Sequence, residues 1–199
     1  MAERHKTSLW AKAATVALGL MAGLISGWYA ITSGMGGQSY SGWYGSSVTG
    51  SSDADPWLRA RVAVAGLLAL NKDQAIYFTR KTDDAGEPLR EECRYRVSGS
   101  TLPGQWWSVT VYAADNYLPL NQDDALSFDA TEVKPDATGR WTALLAPVRP
   151  IGGEAWASTS KAGNFDITLR IYQPNKQAQQ DFATIPMPSV TRLECGGKA

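Results

Sequence analysis

Beyond its fifth position this chain has no histidine, and it has only two cysteines, Cys93 and Cys195. The single histidine, His5, stands in a short N-terminal tail. A Ser-His-Asp triad needs an imidazole to take the serine proton, so the body of the chain cannot assemble one. Catalytic zinc draws on histidine or free thiolate and is disfavoured on the same ground. Glycine is plentiful, but nowhere in the spacing of a P-loop or a dinucleotide fingerprint. The run Gly34-Met35-Gly36-Gly37 reads as spacer. Excess charge is missing too: from Gly34 onward 16 basic residues face 18 acidic ones. That balance lacks the basic face a nucleic acid demands. No catalytic residue, metal ligand or cofactor is assigned.

What is present begins with an apolar run. Residues 13–31 carry no charge and are long enough to cross a bilayer as a helix. Residues 1–12 hold Arg4, Lys6 and Lys12 against Glu3 alone, which favours a cytoplasmic N-terminus. Trp10 near one end, and Trp28 and Tyr29 near the other, suit the two membrane interfaces. A cleaved signal peptide would have a shorter apolar core and an A-x-A-like site, so an uncleaved anchor is the preferred reading. Either way the remainder lies across the membrane, which for a bacterium means the inner membrane and the periplasm. Within the run, Thr15, Gly19, Gly23 and Gly27 recur every fourth residue and make one flat helical face. Such a face admits a second transmembrane helix, from the same or a different protein.

Residues 32–54 are dominated by Gly and Ser, a flexible-spacer composition, yet Tyr40, Trp43 and Tyr44 imply that the second half docks on the domain or the membrane surface. Residues 55–199 read as one periplasmic domain. Asp55-Pro56 is a helix start, the aspartate capping free N–H groups and the proline fitting the first turn. The spacing predicts a helix from Trp57 to Leu70, laid tightly against a sheet through Ala60, Ala63 and Ala65.

After Asn71 the pattern turns to about eight short strands separated by turn residues. They are predicted at Ala75–Lys81, Glu92–Ser98, from Trp106, at Ala125–Asp129, Trp141–Ala146, Ala155–Ser158, Phe165–Gln173 and Val190–Cys195. In the strand from Trp106, residues Trp107, Val109, Val111 and Ala113 face a core, and Trp106, Ser108, Thr110 and Tyr112 face away. It follows the strand at Cys93 through a Pro-Gly turn. Lys176 to Phe182 is predicted as a short surface helix. The fold class is mainly β: an antiparallel β-sandwich of jelly-roll type with one packed N-terminal helix, preceded by a single transmembrane helix.

Four blocks, YRVSG (95–99), LPGQWWSVTVYAAD (102–115), GNFDITLRIYQPN (163–175) and SVTRLEC (189–195), resemble the bacterial domain of unknown function twelve-fourteen. The resemblance implies a jelly-roll sandwich, an N-terminal anchor in short members, and a companion protein carrying domain of unknown function twelve-fifty-four. It transfers no catalytic residue. In the loop AADNYL this chain has Ala113 where similar proteins more often have a second acid.

An oxidising compartment and the absence of a soluble imidazole favour a disulfide between Cys93 and Cys195. Asp115, Asp123, Asp124 and Asp129 cluster after the Trp106 strand and offer the two carboxylates a glycosidase uses, beside sugar-stacking aromatics. As turn formers the same residues need no such role. The candidate contact site comprises Trp106, Tyr112, Asp115, Asn116, Tyr117 and Asn121. Arg94, Arg96, Arg170 and Arg192 are candidates for an anion-binding sheet face or for its solvated side. Two functions are carried forward. One is a membrane-anchored periplasmic interaction or structural module, an accessory subunit of an envelope complex. The other is a carbohydrate-binding or carboxylate-based hydrolytic domain.

Overall fold

The structure is a computed structural model and describes residues 8–32, 37–64 and 70–196. His5, Arg4, Lys6, Ala65 and most of the Gly34 spacer run lie outside the described residues. The chain opens with helix α1 (Leu9–Thr32), followed by strands β1 (Gln38–Tyr40) and β2 (Trp43–Gly45) and helix α2 (Pro56–Val64). Strands β3 (Ala75–Arg80), β4 (Cys93–Gly99), β5 (Trp106–Ala113), β6 (Ser127–Asp129), β7 (Trp141–Ala146), β8 (Trp156–Ser158) and β9 (Phe165–Tyr172) follow. Helix α3 (Lys176–Gln180), a 3-10 turn at Phe182–Thr184 and strand β10 (Ser189–Cys195) complete it.

The strands form two sheets, one of six in the order β1-β2-β3-β9-β5-β6 and one of four in the order β10-β4-β7-β8. Every pairing is antiparallel except β7 with β8, which run parallel. Between the sheets lies one apolar core, to which β5 gives Trp107, Val109 and Val111, and β9 gives Phe165, Ile167, Leu169 and Ile171. Trp107 stacks on Trp141 of the opposite sheet, ring centroids 4.4 Å apart. Of the adjacent tryptophans one is core and the other is not, as period-two alternation requires.

Strands β4 and β5 are not a hairpin, although a Pro-Gly turn separates them. They belong to opposite sheets, so the turn carries the chain across the sandwich with Leu102 buried at the crossing.

The larger sheet also begins earlier than composition indicates. Residues 38–45, inside the stretch read as spacer, make a hairpin on the edge of β3. Its two-residue loop, Ser41-Gly42, has positive φ at both positions (52° and 83°), the geometry that matches strand twist. Trp43 is fully buried and donates its Nε1–H to the carbonyl of Pro188 at 2.7 Å. The docking implied by Trp43 is therefore onto the domain. Gly45 is required there, because a Cβ would lie 2.5 Å from the Phe78 ring.

Helix α2 differs from its prediction. Asp55 caps it, Oδ1 accepting from the N–H groups of Trp57 and Leu58 at 2.8 and 3.0 Å. Its chief neighbour is α1, where the alanine spacing predicts a sheet. Only Leu58 is buried. Gly66, Leu67 and the rest of 65–69 lie outside the described residues. The predicted helix from Lys176 splits in two because Asn175 caps α3 while Asp181 caps the 3-10 turn that follows.

Candidate functional site

The loop after β5 is a sequence of tight turns. Asp115 Oδ1 accepts from the Tyr117 N–H at 3.0 Å, and Asn116 takes a left-handed backbone angle, φ 66°. Asn121 is structural: its Nδ2 donates to the Ser160 carbonyl at 2.9 Å, holding the loop against the end of β8. Outward the loop presents Tyr117, 75% exposed, and Leu120, 86% exposed, among the exposed carboxylates of Asp115, Asp123 and Asp124.

Three of the four carboxylates in this region are engaged in local bonds. Besides Asp115, Asp123 Oδ2 accepts from the Ser158 hydroxyl at 2.6 Å, and Asp129 Oδ1 accepts from the Thr131 N–H and hydroxyl at 2.7 and 2.6 Å. Among the described residues no group of three or more His, Cys, Asp or Glu side chains could hold a metal ion.

Tyr112 and Trp106 are on the outer face of the six-stranded sheet, Tyr112 at the loop end of β5. Trp106 is at the far end of β5, about 24 Å from the loop along the strand, tilted against Tyr172 with centroids 5.0 Å apart. Tyr112 joins an array that sequence reasoning did not assemble. Arg170 on β9 donates to the Tyr112 hydroxyl and to Thr110 Oγ1, its guanidinium 5.5 Å from the centre of the Tyr112 ring. Directly across from Tyr112 in the strand register is Asp166. Burial pushes the Asp166 carboxyl up to about 6, against the opposing pull of Lys81. The only sequence signal for Asp166 is its place, an acid inside an alternating strand.

The four arginines do not share a face. Arg170 is on the larger sheet, and Arg192 Nε points to Asp83 Oδ2 at 3.3 Å. Arg94 and Arg96 line an open groove of about 680 Å³ on the outside of the smaller sheet, together with Arg149, Val148, Ile151 and Leu193. Arg94 is paired there with Glu194 at 2.6 Å. Glu92 and Glu154 line the same groove, so it has no consistent sign of charge.

Cys93 and Cys195 are bonded to each other, directly opposite in the β4–β10 register. One described helix is long and apolar enough to cross a membrane, over Leu9–Ala30, with mean hydropathy 1.5 and none of that window buried in the chain. Of its glycines, Gly19 and Gly23 have nothing within 4 Å of where a Cβ would stand, while Gly27 is met by the Trp57 ring at 3.8 Å.

Residues 74–176, more than half of the chain, match the family described as Protein of unknown function (DUF1214). The chain belongs to the DUF1214 family. No curated protein matches it. Among solved structures it is similar to the VPA0106 protein of Vibrio parahaemolyticus, at TM-score 0.57 and 21% identity. That likeness covers 71% of this chain but 36% of that one, so this chain matches about a third of its relative's length. A structure of an uncharacterised protein from Burkholderia cenocepacia gives TM-score 0.41 at 14% identity, covering 63% of this chain and 31% of that one. The likeness to VPA0106 shows the fold. The DUF1214 match runs from the start of β3 to the start of α3, so it includes Asp166, Arg170, Tyr112 and Cys93. It leaves α1, the β1–β2 hairpin, α2 and β10 with Cys195 outside.

Proposed function

We propose that this DUF1214 member is a single-pass, membrane-anchored interaction module, its N-terminus in the cytoplasm and its sandwich in the periplasm. In this reading it is an accessory subunit of an inner-membrane complex. The observation that carries the reading is α1: a span-length apolar helix with none of its apolar window buried among the described residues. Exposed apolar area of that extent is stable only in lipid or against another protein. The disulfide agrees with an oxidising compartment.

The partner in this reading is a second transmembrane helix laid along Thr15, Gly19 and Gly23, where close backbone approach is unobstructed. A companion protein carrying domain of unknown function twelve-fifty-four is the candidate from the family resemblance. Purification of the intact protein in mild detergent is expected to recover an assembly larger than the monomer. Gly23→Leu is expected to dissociate it by filling the flat face. Recovery as a monomer, unchanged by Gly23→Leu, would remove the assembly from the proposal.

A further inference from the structure

We propose that α2 is a membrane-surface element, with Trp57 seated in the lipid headgroup interface beside the outer end of α1. The proposal rests on the reading of α1 as a membrane span and adds to it the depth and attachment of the domain.

The first support is position. The apolar window of α1 runs 22 residues, about 33 Å of helix at 1.5 Å per residue, which matches a hydrocarbon core of about 30 Å. Gly27 is three residues before the end of that window at Ala30, about 4.5 Å inside it. The Trp57 ring rests against Gly27. It therefore stands at the level of Trp28 and Tyr29, where amphipathic rings collect.

The second support is how the ring is left. Trp57 is 51% exposed, one side on α1 and the other uncovered. Among the described residues its indole N–H has no acceptor, the arrangement a headgroup or interfacial water completes. Val64, seven residues on and so on the same helical side, is also exposed. The start of α2 is fixed rather than loose. Asp55 caps it, and Arg59 donates to the carbonyls of Ala54 and Ser52 at 2.8 and 3.0 Å. Lipid is the occupant by continuity, because the surface beside Trp57 is α1 itself. The domain is then attached through a helix pair at the interface, not through a free tether.

The test uses the full chain carrying a benzophenone amino acid at Trp57, Leu20 or Tyr117, reconstituted into phosphatidylethanolamine–phosphatidylglycerol vesicles and irradiated. All three positions are exposed, so replacement leaves the core intact. The expected result is a lipid adduct at Trp57 approaching the yield at Leu20, with none at Tyr117. An adduct at Leu20 without one at Trp57 overturns the proposal and leaves the anchor standing. Absence at both positions overturns the anchor as well. A protein–protein adduct at Trp57 makes the occupant a second copy and overturns the lipid assignment. Equal lipid adducts at Trp57 and Tyr117 overturn the assignment to α2 in particular.

Discussion

Strand β10, the edge of the smaller sheet, is fastened by a covalent bond, whereas the β1–β2 hairpin, the neighbouring edge of the larger sheet, is held by burial and hydrogen bonds alone. The two attachments meet. Arg80, a nearly buried cation, donates to the carbonyls of Thr82, Ser41 and Pro188 and pairs with Asp84 at 2.7 Å. Asp84 in turn accepts from the Val190 N–H and the Thr191 hydroxyl, each at 3.0 Å. So β10 is pinned twice, at its start by this polar knot and at its end by Cys195. The knot orders a stretch whose Gly and Ser content disfavours order. The disulfide holds an edge strand that is mostly exposed.

The largest effect expected from breaking this comparison is at Trp43. Trp43→Ala removes a fully buried indole and is expected to cost about 3–5 kcal/mol, read by urea unfolding of the full chain in mild detergent. Next comes the covalent end. The double variant Cys93→Ala, Cys195→Ala opens a link between residues 102 apart in sequence and is expected to cost about 2–5 kcal/mol. In the variant, proteolysis should reach β10 from its C-terminal end while the hairpin stays protected.

Two acids sharpen the contrast through pH, with opposite signs. Asp166 is raised in the folded state to about 6 from 3.8. Its burial therefore costs stability at neutral pH, and the cost is relieved as pH falls from about 6 toward 3.8. Asp166→Asn should raise stability at pH 7.5 by about 1–3 kcal/mol, and the gain should vanish near pH 3.8. Burial would raise Asp84 too, but the bonds from Val190, Thr191 and Arg80 hold it below the ordinary 3.8. Its contribution is present above that value and is lost as pH falls through the lower, folded one. Asp84→Asn is the smallest of these effects, because the carboxylate is partly exposed. It should destabilise at neutral pH, with the difference closing in acid. A pH titration of the melting temperature for both variants reads both signs.

Much of the strand pattern was legible because alternation is local: Trp141–Ala146 is found within its predicted bounds, and Trp107, Val109 and Val111 of β5 keep their predicted core face. The pairing of Cys93 with Cys195 followed from count and compartment. The hairpin at 38–45 was hidden, since two three-residue strands have too few positions to show a period. The Asp166–Tyr112–Arg170 array was hidden for another reason. Tyr112 is far in sequence from Asp166 and Arg170 and joins them only when β9 pairs with β5. Trp106 is kept from the Asp115 loop by the length of β5 itself, since it begins the strand that the loop follows.

By itself the sequence determined the apolar span, the missing soluble imidazole and the chemistries this excludes, the alternation that makes a two-faced sheet, and the family. All of these are properties of composition or short-range period. Only the tertiary structure decided that the spacer contributes an edge hairpin, that a Pro-Gly turn crosses between sheets, and that Trp57 belongs with α1. It also decided that desolvation in the paired strands raises the carboxyl at position 166 from 3.8 to about 6. Each of these depends on which distant segments share a surface, and burial is a property of that surface rather than of any residue's neighbours in the chain.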